Sequence, residues 1–361
     1  MSETAADRVS PTIDEVAGRV FSSALGTIET LSIYVGDRMG WYRALVKGGP
    51  ATDEELAARA GGHPRYVKEW LEQQAAYGLL EVSGENSERR YSLPPAAAEV
   101  LTDERSLSYL APLARMLAAS AIQLPLLLKA YGRGGGVGWS QFGDDARESQ
   151  ADMNRPWFEK VLPESLAGVS SVHSVLQRPD ARVADIGFGA GWSSIAIARA
   201  YPEATVDGFD VDEPSVAMAT RNAKEAGLEK RVRFYPKSAA EMEGNAYDAI
   251  FAFECIHDMP HPVEVLGAAR RAVKGDGMVI VMDEAVGDSF TAPADDIERL
   301  MYGFSLFLCL PDGMAHENSV ATGTVMRPQT LERYAVEAGF SKLSVLPVED
   351  FGLWRFYELH Q

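Results

Sequence analysis

Cysteine is nearly absent: of 361 residues only Cys255 and Cys309 occur, each inside an apolar stretch. Neither a disulfide framework nor a cysteine metal cluster has anything to build on, so both are expected as buried thiols. Apolar runs of membrane-span length are missing as well. The opening Met1-Ser-Glu-Thr-Ala-Ala-Asp7 is acidic where a signal peptide would be basic and then apolar. A cytoplasmic chain with no membrane partner is expected. Basic residues are outnumbered, 34 Lys and Arg against 52 Asp and Glu, for a formal charge of −18. Tracking a phosphate backbone needs clustered cations, so nucleic acid is argued against and a small-molecule partner favoured. The glycine run at 131–138 has no following Lys-Ser/Thr and no preceding strand. It is a hinge or loop rather than a phosphate cradle.

Apolar side chains at Ile13, Val16, Val20, Ala24, Ile28, Leu31 and Val35 keep the spacing of one helix face, which must be buried against something. Thr52 with Glu55 makes a capping box for a helix ending at Gly61-Gly62, and Pro64 opens a second helix with Val67, Trp70, Leu71 and Ala75 inward. Residues 79–82 and 90–93 read as a hairpin, closed by Pro94-Pro95. Helix, helix and hairpin make a winged-helix pattern, yet residues 51–100 hold five Lys/Arg against nine Asp/Glu. Such a surface repels DNA, so the module is expected to serve packing or dimerisation. Helical sequence continues to about residue 175, and from Arg182 strands alternate with helices as in a parallel sheet covered on both faces. The expected divisions are a helical winged-helix domain over 1–110, a helical connecting segment over 111–175, and an α/β domain over 176–361.

Within the last division, residues 182–186 form a strand, Gly187-Phe188-Gly189-Ala190-Gly191 a glycine turn, and 192–200 a helix. Glycines let a ligand approach the backbone, and the helix offers unpaired N–H groups. A dinucleotide fingerprint would need glycine at 192, where Trp192 stands, so NAD is disfavoured. Asp185 precedes the turn, and a second strand, 205–210, ends in Asp210, 23 residues after Gly187. An acid there can accept both hydroxyls of a ribose. Asp207 and Asp212 are expected to be merely exposed.

On these residues 176–361 resembles the class I methyltransferases, with a Rossmann-like doubly wound sheet that takes S-adenosylmethionine. The resemblance implies that Asp185 faces the methionine part and Asp210 the ribose, with Phe188, Val211 and Phe253 beside them. The adenine site falls on Lys237-Ser238-Ala239, where the family's acid is missing. Ser238 would supply the hydrogen bond, and Phe209 and Ala239 apolar walls. Glu254-Cys-Ile-His257-Asp-Met259 resembles the His-Asp-Trp motif of small-molecule O-methyltransferases, which also carry a winged-helix dimerisation domain. A homodimer follows from that likeness. His257 would then be the general base and Asp283 the group orienting its ring, with no second supporting carboxylate apparent.

A phenol of pKa near 10 is about one part in a thousand ionised at neutral pH, a deficit on the order of 4 kcal/mol that a mostly neutral imidazole can offset. The other histidines show no ligand spacing, so no metal is expected. Candidates to cap an apolar acceptor pocket are Asn154, Trp157, Phe158, Met301, Tyr302, Ser305 and Leu308, the last four at helical spacing. An aromatic or alicyclic metabolite, methylated at a hydroxyl, fits best. Two other readings remain open: a relative that binds the cofactor for non-methylating chemistry, and a ligand-sensing winged-helix regulator.

Overall fold

The computed structural model describes residues 10–361, apart from the side chain of Ser87. The acidic opening segment, 1–7, lies outside the described residues. Two compact units divide at Ala118 and Ala119.

The first unit begins with α1 (Ile13–Arg38), opened by a Thr12 and Glu15 capping box, then α2 (Trp41–Gly48), α3 (Asp53–Ala60) and α4 (Pro64–Ala76). The Thr52 and Glu55 box caps α3 as its spacing requires. A short antiparallel wing, β1 (Glu81–Ser83) and β2 (Arg90–Ser92), follows. Pro94 and Pro95 do not close the module: Pro95 occupies the first turn of α5 (Pro95–Thr102), where its missing N–H costs nothing. Trp41, Leu56, Trp70, Leu71 and Tyr91 form the core. On α4, Arg65 is paired with Glu69 at 2.5 Å. The apolar stripe of α1 is largely exposed, with Ile13, Val20, Phe21 and Ile28 all more than half accessible. No single helix among the described residues is long and apolar enough to cross a membrane.

Helix α6 (Ala111–Ile122) leads into the second unit, which continues with α7 (Leu124–Arg133), α8 (Trp139–Lys160), α9 (Leu162–Gly168) and α10 (Ser170–Leu176). The predicted glycine loop begins later than expected, because α7 runs on to Arg133; α8 is itself broken at Gly143, where φ is +74°. Then come β3 (Arg182–Ile186), α11 (Trp192–Ala200), β4 (Thr205–Asp210), α12 (Glu213–Glu225), β5 (Val232–Pro236), β6 (Tyr247–Phe253), α13 (Pro262–Ala272) and β7 (Val273–Glu284). A helical stretch, α14 (Asp296–Phe304), α15 (Leu310–Gly313) and α16 (Pro328–Glu337), precedes the closing hairpin of β8 (Lys342–Val345) and β9 (Trp354–His360).

These strands make one sheet in the order β5-β4-β3-β6-β7-β9-β8, parallel except for β9. Every residue of β6 is buried, as a strand covered on both faces demands. The chain leaves β3 toward β4 on one side, while β6 lies on the other. The carboxyl ends of β3 and β6 therefore flank a topological switch point, where open α/β sheets leave a crevice for ligands.

Candidate active site

The glycine turn sits at that crevice. Gly187 has φ +65°, and a Cβ there would lie 2.7 Å from Cys255 Cβ; Gly191 has φ +77°, and a Cβ would meet Phe234 Cζ at 2.6 Å. Side chains are barred at both positions by backbone conformation and by space. Cys255 Sγ donates to Ile186 O at 3.2 Å, tying the end of β6 to the turn.

Asp185 is fully buried. Its Oδ2 accepts from Ser193 Oγ and Ser194 Oγ, each at 2.6 Å, while Oδ1 has no partner. Burial pushes its carboxyl up to about 6 against the two serine hydrogen bonds. Asp210 accepts from Gly189 N at 3.0 Å and Asp212 N at 2.9 Å, which aims it across the turn, and burial raises it above the ordinary carboxylate range. Ser238 Oγ accepts from Ala240 N at 3.2 Å, Ala239 is buried, and Val211 is exposed.

Two residues expected at the cofactor have their rings packed against neighbouring side chains. Phe188 packs on Phe234 at 4.4 Å with Val216 and Ala219. Phe253 stacks on Phe251 at 5.2 Å and meets Phe158 at 5.5 Å, inside the core of the sheet. Phe253 lies on β6, whose residues are all buried, and Phe188 lies in the glycine turn between β3 and α11. The expectation that Asp207 and Asp212 are merely exposed also fails. Asp207 accepts from Arg182 at 3.0 Å. Asp212 caps α12 and is held bidentately by Arg147 of α8, at 2.7 and 3.2 Å.

His257 lies beyond β6 in the loop before α13, only 3% accessible. Its Nδ1 is 2.9 Å from Asp283 Oδ1 and 3.1 Å from Glu284 Oε2, both at the end of β7. Its Nε2 is 3.1 Å from Asp258 Oδ1. The supporting carboxylates missing from the sequence reading are therefore Glu284 and Asp258, each next to a residue already singled out. Burial alone would depress the imidazole, but Asp258, Glu284 and Asp283 outweigh it and hold the ring well above its ordinary value. Asp283 is lowered, because the His257 charge overcomes its burial, while Glu284 is raised by burial and the Asp283 charge. His257 with Asp283 and Glu284, and His257 with Asp258 and Cys309, are triads of metal-ligand type drawn from separate segments, a grouping that linear spacing could not reveal. With a carboxylate at hydrogen-bond distance from each ring nitrogen, the geometry is that of a charge network.

Among the expected acceptor residues, Asn154 of α8 donates to Glu254 Oε2, and Gln150 reaches the same oxygen at 3.4 Å. Trp157 packs against Phe351 and Trp354, and Phe158 is core. Met301, Ser305 and Leu308 are buried. Tyr302 faces out, its hydroxyl accepting from Arg327 at 3.2 Å. Regular helical spacing does not hold over the four, since Ser305–Cys309 is a π-helical turn, a feature often found at functional sites.

A glycine turn after β3, an acid closing β4, and a mostly parallel seven-stranded sheet with one reversed strand define a protein of the class I methyltransferase fold. Residues 177–306 match the methyltransferase domain family, and residues 27–103 match the Rv2258c-like winged HTH domain. The 27-O-demethylrifamycin SV methyltransferase of Amycolatopsis mediterranei is 30% identical over 141 residues, which is 38% of this chain and 50% of that one. The chain spans half the length or less of the curated relatives it matches, between 31% and 50% for three of them. Among solved structures, human N-acetylserotonin methyltransferase in complex with S-adenosylmethionine superposes with a TM-score of 0.72 at 15% identity, covering 98% of this chain and 99% of that one. Mitomycin 7-O-methyltransferase gives a TM-score of 0.70 at 20% identity, covering 96% and 98%. At such identities the likeness is one of fold.

Proposed function

We propose that this protein transfers a methyl group from S-adenosylmethionine to a hydroxyl oxygen of a small aromatic or alicyclic metabolite. The observation that carries the reading is Asp185 Oδ1, a buried carboxylate oxygen with no partner beside a turn that excludes side chains. An orphaned acceptor in that position suits an ammonium group. Asp210 retains lone pairs beyond those its backbone donors use, which suits a ribose diol. Ser238 and Ala239 line the adenine end, and Phe188, Val211 and Phe253 contribute backbone. When bound, the cofactor supplies a methyl group already activated on a sulfonium.

The remaining task of the chain is to align an acceptor and manage its proton. Asp258 Oδ1 at 3.1 Å from His257 Nε2 marks where an anionic oxygen is held against the ring. An acceptor oxygen taking that place gives its proton to His257, and Asp283 and Glu284 at Nδ1 keep the resulting imidazolium and phenolate pair favoured. The raised pKa makes the neutral ring a stronger base. Asn154, Trp157, Phe158, Met301, Tyr302 and Ser305 would shape the acceptor side. Formation of S-adenosylhomocysteine on addition of phenols, catechols or alicyclic alcohols, followed chromatographically, supports this function; no product above the acceptor-free rate with any of them counts against it. The exposed stripe of α1 supports a homodimer, for which light scattering at the monomer mass would be the contrary result.

A further inference from the structure

Glu254 ends β6 in a left-handed conformation, φ +48°, which a side chain other than glycine adopts only under constraint from its surroundings. Its N–H donates to Met282 O at 2.8 Å. Its carboxylate is taken by Asn154 and Gln150 of α8 and by the Trp354 side chain of β9. Three elements thus fix an acid at one wall of the switch-point crevice, and the next residue, Cys255, packs on Gly187 of the other wall. Both walls end in an acid, Asp185 and Glu254, and neither is ion-paired to a lysine or arginine among the described residues. Of the charged groups around it, His257 favours the ionised form of Glu254 and Asp283 opposes it; burial pushes it up to about 7.

Resting on the function proposed above, we propose that Glu254 is a cofactor-selecting residue whose carboxylate faces the sulfonium and discriminates charged S-adenosylmethionine from its neutral product. The sulfur joins the ribose end of the cofactor to its amino-acid end. With the ribose at Asp210 and the ammonium at Asp185, the sulfur between them would come beside the Gly187 to Gly189 turn, which faces the end of β6 through Cys255. A cation there meets a carboxylate already desolvated and oriented, so its attraction is not diluted by reorganisation. After transfer the sulfur is uncharged and that attraction disappears, which favours release of the product.

The test is calorimetric titration of wild type, Glu254→Gln and Glu254→Gly with S-adenosylmethionine, S-adenosylhomocysteine and sinefungin, an analogue with an amine in place of the methyl sulfonium. Glu254→Gly suits the positive φ and so removes the carboxylate without backbone strain. The expected result is at least a roughly tenfold fall in the preference for the two cationic ligands over S-adenosylhomocysteine in both variants, well within the reach of one charge contact at a desolvated carboxylate. Affinity for S-adenosylhomocysteine should stay within about twofold. A preference unchanged in both variants overturns the assignment of Glu254 and leaves the methyltransferase reading standing. Failure of wild type to bind any of the three overturns that reading, and this one with it.

Discussion

Replacing Arg147 with methionine should destabilise the sheet-bearing unit by about 3 kcal/mol. Arg147 Nε and Nη2 hold both oxygens of Asp212 at 2.7 and 3.2 Å, and their side chains are only 7% and 15% exposed. Breaking a buried pair by removing one partner costs about 3–5 kcal/mol, because a charge is left uncompensated. The low end applies here: Asp212 keeps hydrogen bonds from Ser215 N at 3.0 Å and Ser215 Oγ at 2.6 Å. The contact of Arg147 with Asp144, whose side chain is 88% exposed, adds nothing of consequence. For a unit of this size each kcal/mol moves the melting point by about 2–4 °C, so a drop of roughly 6–12 °C is expected in calorimetry. Arg147→Met combined with Asp212→Asn should recover at least half of the loss, since the orphaned charge is gone while the helix cap can persist. A shift below about 2 °C for the single variant, or no recovery in the double, would refute the reasoning.

Asp210→Ala should weaken S-adenosylmethionine binding by about tenfold or more through lost charge-assisted hydrogen bonds to the ribose, and unchanged calorimetric affinity would remove that assignment. A cation requires Asp185 ionised, so with its carboxyl at about 6 cofactor affinity should fall as pH drops below 6, by up to about tenfold per unit. Asp185→Asn should abolish that slope, and a slope retained in the variant would point to another group. Because the folded value of Asp185 lies above the unfolded one, its proton favours the native state below the unfolded value of about 3.9, and this contribution is lost as pH rises to about 6. His257→Ala should keep cofactor affinity yet lose roughly a hundredfold in transfer rate, and normal turnover would return the ring to a packing role. The raised value of His257 sets the sign of its stability effect: the contribution is full below about pH 6.5 and disappears as pH climbs through the elevated folded value.

The strand-turn-helix of 182–200 was legible because local signals agree there: a β-branched strand, glycines where φ is positive, and a helix starting at Trp192. The capping box at Thr52 was equally local. What escaped depends on residues far apart in the chain. Arg147 and Asp212 are separated by 65 positions, and neither looks unusual alone. Glu254 stood inside the quoted motif, but its left-handed backbone and its bonds to α8 exist only once the sheet has formed. Glu284 neighbours Asp283, and alternation along a strand predicts that only one faces the histidine; the end of β7 brings both within 3.1 Å of Nδ1. The upward shift of His257 follows from that crowding, and no property of the isolated residue foretells it.

The most direct measurement is to supply S-adenosylmethionine carrying a carbon-13 methyl group together with a panel of phenols, catechols, carboxylic acids and amines, and to locate the label in any product by mass spectrometry and NMR. The expected result is a labelled methyl ether on an aromatic or alicyclic hydroxyl, formed by wild type and diminished in His257→Ala. Cofactor bound with no label transferred to any acceptor, or label found only on nitrogen or carbon, would contradict the account.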